Sequence, residues 1–147
     1  MRVREILAKK PSRVITVDRR EELSAAVQLM MDHGIGGLPV VANGDTPIGF
    51  IAERDVVDAV HRYRGPVGPL SVESVMRPLP ECSASDALDD VMARMTRQRL
   101  RHLVVLDDGR MVGVISVGDL VRYRLEQLET ETGVLRDYVA AQRAARH

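Results

Sequence analysis

At 147 residues the chain has the length of one ordinary domain, and its 21 basic side chains balance 21 acidic ones, so no net field draws it to nucleic acid or anionic lipid. One Phe, three Tyr and no Trp leave little to stack on bases, and a single cysteine excludes an intrachain disulfide and a cysteine-rich metal site. The apolar runs are short and broken by Gly, Pro or charge, so neither a membrane-spanning helix nor a signal peptide is expected, and the expected location is cytoplasmic.

In chain order, the first apolar run is residues 14–17 (Val-Ile-Thr-Val), read as a strand. Asp18 and Glu21 then stand three apart, a spacing that can satisfy free N–H groups in a first helical turn. The helix expected over 22–33 carries Leu23, Ala26, Val27 and Met30 at i, i+3, i+4 and i+7, one apolar stripe for a core. Residues 38–41 are too few for a helix and rich in valine. They read as a strand that turns at Asn43-Gly44-Asp45 and returns over 48–52. A second helix starts near Glu53. Two glycines and two prolines make 63–70 a linker.

The same order then recurs. Residues 77–80 are irregular and 81–83 weakly strand-like. Ser83 and Asp86 repeat the capping spacing sixty-five positions after Asp18 and Glu21. The stripe returns as Leu88, Val91, Met92 and Met95 on a helix expected over 84–98. A strand over 103–106, a turn at Asp107-Asp108-Gly109 and a strand over 111–116 follow, with a helix from Val117. One such unit of about sixty residues buries too little surface to be secure alone, so two copies are expected to share a core and to form two related clefts. The last helix outruns its counterpart. Val121, Leu125, Leu128, Thr132, Leu135 and Val139 alternate steps of four and three, a heptad seam interrupted by Gly133. Such a helix either folds back on its own domain or packs against the same helix of another subunit.

Catalytic patterns are missing. None of His33, His61, His102 and His147 has a ligand-type side chain four residues away, as a zinc helix needs. Gly34-Ile35-Gly36-Gly37 leaves a helix and enters a strand, the reverse of a phosphate-cradling loop. Cys82 stands in an apolar run without an evident basic neighbour, which suits a core thiol. With no nucleophile matched to a base, no enzyme is expected. The strand-to-helix junction Ser116-Val117-Gly118-Asp119 holds more promise. Its hydroxyl and first-turn N–H groups could take a phosphate oxygen, and its carboxylate could accept both hydroxyls of a ribose. Ser-x-x-Asp is equally an ordinary helix cap.

The recurring Gly-Leu-Pro-Val-Val at 37–41, His-Leu-Val-Val-Leu-Asp at 102–107, Gly-Phe-Ile-Ala-Glu-Arg-Asp at 49–55 and Gly-Val-Ile-Ser-Val-Gly-Asp at 113–119 resemble a pair of CBS (cystathionine β-synthase) domains. The likeness runs from about Val3 to about Glu129. It implies an α/β (α+β) fold of two β-α-β-β-α repeats with pseudo-twofold symmetry, a stand-alone Bateman module with an extended C-terminal helix. The implied boundaries are 3–62 and 71–129 for the repeats, 63–70 for the linker and 130–147 for the helical extension. It also implies a non-catalytic regulator that binds an adenine nucleotide (AMP, ADP, ATP or an NAD-type compound) or a related adenosyl ligand between the repeats. By the same resemblance Asp119 is the ribose ligand and Ser116 a phosphate ligand, with Gly118 between them. Arg101 and His102 stand toward the phosphates, and Val14, Ile15, Ile35 and Gly36 line the adenine. Asp55 marks a weaker second site, because Ala52 replaces the hydroxyl and Glu53 adds an anion. A homodimer and an unknown effector protein are the implied partners, without membrane insertion and with nucleic acid disfavoured. The alternative is a dimeric scaffold whose ligand clefts are vestigial.

Overall fold

The structure, a computed structural model, describes residues 1–11 and 13–145. Its elements follow the order α1 (Val3–Leu7), β1 (Val17–Asp18), α2 (Leu23–His33), β2 (Gly37–Ala42), β3 (Thr46–Ala52), α3 (Glu53–Arg62), α4 (Val72–Val75), β4 (Glu81–Ser83), α5 (Leu88–Gln98), β5 (His102–Asp107), β6 (Arg110–Ser116) and α6 (Val117–Ala145). They form two three-stranded sheets, ordered β1-β2-β3 and β4-β5-β6. In each, the short first strand lies parallel to the second, Val17 opposite Val40 and Glu81 opposite Val104. The mixed α/β class and the long last helix are as expected from the sequence.

The hairpin turns form where Asn, Asp and Gly accept positive φ: Asn43 at 50° and Gly44 at 91°, Asp108 at 49° and Gly109 at 77°. The helical stripes face inward through Leu23, Ala26 and Met30 on α2 and Leu88, Val91 and Met95 on α5. Leu38, Ile51, Leu103 and Ile115 are wholly buried, and each contributes roughly 1.5–3 kcal/mol through lost apolar exposure. Phe50, Ala52 and Val104 form a further buried cluster, with Leu79, Leu106, Met111 and Val114 against it. It joins strands of both repeats, which is the shared core that two short copies need.

Two starts differ from expectation. Of residues 14–17 only Val17 enters a strand. The helices begin at Leu23 and Leu88, with no side-chain cap at Glu22 or Ala87. The Asp18 carboxylate instead accepts the Arg20 N–H, and Asp86 accepts the Ser83 N–H, closing turns ahead of the helices. Exchanged segments satisfy the helix starts. The Leu23 N–H donates to the Leu70 carbonyl at 2.7 Å, and the Leu88 N–H to the Met1 carbonyl at 2.9 Å. The linker and α4 thus dock on the first repeat (Val72 N–H to Glu21 carbonyl, 2.8 Å), while α1 docks on the second (Val3 N–H to Asp86 carbonyl, 3.0 Å). Each repeat is closed by the segment that precedes the other.

By contact the chain divides into a unit ending at Ile115 and a second beginning at Ser116. The second is dominated by the 29-residue α6, which runs unbroken through Gly133. Among the described residues no helix is long and apolar enough to cross a membrane.

Candidate functional site

The Ser116–Asp119 junction is a closed reciprocal turn. The Ser116 N–H donates to Asp119 Oδ2 at 2.9 Å, and the Asp119 N–H donates to Ser116 Oγ at 3.2 Å. Asp119 Oδ1 stands 3.9 Å from Arg122 Nη1, one turn on along α6, and the Asp119 side chain is largely covered. A Cβ on Gly118 would meet Ser116 Oγ at an ordinary 3.5 Å, so packing does not demand glycine there. The sequence left open a helix cap or a ligand turn; the geometry is that of a cap, with acceptor oxygens and a hydroxyl gathered at a helix start.

The first repeat builds half of the same turn. The Ala52 N–H donates to Asp55 Oδ2 at 2.8 Å, but Ala52 has no hydroxyl to return the bond. Asp55 has a partner the sequence did not announce. Arg77 Nε lies 3.1 and 2.9 Å from its two oxygens, and Arg77 Nη2 lies 2.8 Å from Oδ1, a fork-on-carboxylate pair with Asp55 only 13% exposed. Arg77 is pinned by its backbone as well, exchanging N–H···O bonds of 3.0 and 2.9 Å with Phe50. Gly49 makes that approach possible, since a Cβ there would come within 2.9 Å of the Arg77 carbonyl. Arg77 stands twenty-two residues from Asp55, so only a likeness of the exchanged segments could have flagged it.

Gly36 and His102, from different repeats, come together: a Cβ on Gly36 would lie 3.6 Å from two His102 ring atoms and 3.8 Å from the Glu53 carboxyl carbon. The His102 ring also sits 5.2 Å from that of Phe50. An acid therefore shares this corner with the histidine. Arg101 is exposed in the approach to β5. Ile15 and Ile35 are half-buried against the first core, and Val14 is half-buried in irregular chain ahead of β1. Among the described residues no cluster of His, Cys, Asp and Glu could hold a metal ion. Cys82 is buried, and burial chiefly, then the Asp86 carboxylate, pushes its thiol up to about 11. A basic neighbour does exist, contrary to the sequence reading, but Arg94 opposes this rise without reversing it.

The duplicated unit has counterparts in known proteins. The CBS domain model matches twice, over residues 3–62 and 72–126. The chain belongs to the CBS domain family. The uncharacterised protein MJ1225 from Methanocaldococcus jannaschii is 28% identical over 82% of this chain, which spans 41% of that protein. A second archaeal relative, from Methanopyrus kandleri, is spanned over 63% of its length. The chain therefore covers less than two thirds of either. A CBS-domain containing protein from Agrobacterium tumefaciens superposes with a TM-score of 0.80 at 31% identity, covering 84% of this chain and 99% of its own. The CBS domain pair of protein MJ0100, solved with 5′-methylthioadenosine and S-adenosyl-L-methionine, shares the fold at a TM-score of 0.74 and 23% identity, over 86% of this chain and 98% of its own.

Proposed function

We propose that this CBS pair is a non-catalytic regulatory module that binds an adenine nucleotide or related adenosyl ligand and signals its occupancy to an effector protein. The observation that carries the reading is the Ser116–Asp119 turn, which gathers a hydroxyl, a carboxylate and the first N–H groups of α6 in one place. That donor and acceptor set suits a ribose diol and a phosphate oxygen. The adenosyl ligands of the MJ0100 pair support the ligand class, with AMP, ADP, ATP and NAD-type compounds as the candidates to titrate. In this reading Arg101 and His102 serve the phosphates, while Val14, Ile15, Ile35 and Gly36 serve the adenine. Asp55 is the weaker site, because both its oxygens already receive Arg77.

A charge-assisted hydrogen bond contributes roughly 1.5–3 kcal/mol, so Asp119→Ala is expected to weaken binding about ten- to a hundred-fold. Calorimetry on wild type, Asp119→Ala and the cap-preserving Asp119→Asn tests this. Equal affinities for wild type and Asp119→Ala would remove Asp119 from the site. The location proposed is the cytoplasm, and the assembly a homodimer through α6.

A second reading, a dimeric scaffold with vestigial clefts, is favoured by the way Ser116 and Asp119 already satisfy one another. Truncation after Glu129 separates the two. Nucleotide binding that survives while dimerisation falls supports the regulator, and absence of ligand from both forms supports the scaffold.

A further inference from the structure

The outer face of α6 carries information on how two copies would meet. Val121, Leu125, Leu128, Leu135 and Val139 are 52, 54, 48, 62 and 40% exposed, an apolar seam open along most of the helix. Over these residues the seam is about 27 Å long at about 1.5 Å per residue. Gly133 does not break it, because in this register it points away from the seam and nothing lies near the place of its missing Cβ. The steps of four and three put Val121, Leu128 and Leu135 at d positions and Leu125, Thr132 and Val139 at a positions.

The flanking charges select the partner and its direction. The g positions are Arg124, Glu131 and Tyr138; the e positions are Arg122, Glu129, Arg136 and Arg143. In a parallel, in-register pair each g residue faces the e residue five positions on in the other helix. Arg124 then meets Glu129, and Glu131 meets Arg136, on both sides of the seam. The antiparallel pair with the same full overlap sets g against g and e against e. It places Glu131 on Glu131, Glu129 on Glu129 and Arg122 on Arg136, all like charges. We infer that the occupant of this face is α6 of a second copy, parallel and in register. This deepens the homodimer part of the proposed function and rests on it.

The test needs no nucleotide. Leu128→Cys, in the whole chain, puts one thiol opposite its twin only in the parallel register; full antiparallel overlap sets residue 128 against 132. Mild oxidation is expected to link most of the Leu128→Cys chains as dimers, with wild type, whose Cys82 is buried, giving none. Sedimentation of Arg124→Glu/Glu131→Arg is expected to show dimerisation weakened about tenfold at low salt and restored by adding Glu129→Arg/Arg136→Glu. A micromolar monomer, or a dimer that survives truncation after Glu129, overturns the homodimer through α6 together with its direction. A dimer that needs α6 but neither cross-links at 128 nor responds to the charge reversal overturns the direction alone.

Discussion

Both halves carry a carboxylate at the third residue of a helix, Asp55 on α3 and Asp119 on α6, and both take the amide N–H three residues back. Within the motif Ala52 lacks the hydroxyl that Ser116 returns to Asp119, and a second difference lies outside it. Met76 approaches Gly49 as Leu7 approaches Gly113, so by chain position Arg77 in one exchanged segment corresponds to Ala8 in the other. Arg77→Ala is expected to cost about 2 kcal/mol, since it strips a forked, charge-assisted pair from a carboxylate that stays mostly covered. Arg77→Lys should recover only part, because an ammonium cannot make the fork. Urea unfolding reads both, and an unchanged midpoint for Arg77→Ala would mean the pair contributes nothing. Cys82 gives a pH prediction. Its folded thiol is raised from 9.0 to about 11, so this contribution to stability is whole below pH 9 and is lost as pH climbs through 11. Alkylation by iodoacetamide at pH 8 should accordingly be slow in the folded chain and fast in urea.

At the scale of elements, the helix ends offer a paired experiment. Gly34 closes α2 at φ 60° and Arg99 closes α5 at φ 55°, the same left-handed conformation with and without a Cβ. Arg99→Gly is expected to stabilise by about 1 kcal/mol and Gly34→Ala to destabilise by about as much. Opposite shifts in thermal unfolding are the outcome sought; a stability loss in Arg99→Gly would mean the arginine side chain contributes more than its backbone costs. These elements were legible in the sequence because apolar period, valine runs and Asn-Gly or Asp-Gly turns are local signals. The strands of residues 38–52 and 103–116 appeared within two residues of their expected ends for that reason. What sequence missed is non-local. Asp18–Glu21 and Ser83–Asp86 looked like helix caps, but carbonyls of Leu70 and Met1 satisfy the helix starts, and no short-range pattern encodes partners as far apart in the chain as Leu23 and Leu70 or Leu88 and Met1. Arg77 escaped for the same reason. The Ser116–Asp119 turn was found because its two residues are three apart.

At the scale of the whole molecule, a ligand bound as proposed would be linked to folding, and that linkage would rank the two proposed sites. A ligand that binds only the folded chain adds about 2.7 kcal/mol at a hundredfold excess over its Kd. For a chain of this size, about 1 kcal/mol moves Tm by roughly 2–4 °C, so the saturating adenosyl ligand is expected to raise Tm by roughly 5–10 °C. At the same ligand concentration Asp119→Ala, with Kd raised about ten- to a hundred-fold, keeps only about 0.4–1.4 kcal/mol of that gain. Its shift should shrink to roughly 1–5 °C. Asp55→Ala starts from a lower Tm, because it leaves the Arg77 guanidinium without its carboxylate. Its ligand-induced shift should nonetheless match wild type, since in the proposed function that carboxylate is engaged by Arg77 and not by ribose. Each shift is measured against the same variant without ligand, so the stability cost of the mutation cancels. Equal losses of shift in the two variants would make the clefts equivalent and defeat the assignment of Asp55 to the weaker site. A full shift in Asp119→Ala with none in Asp55→Ala would invert their order.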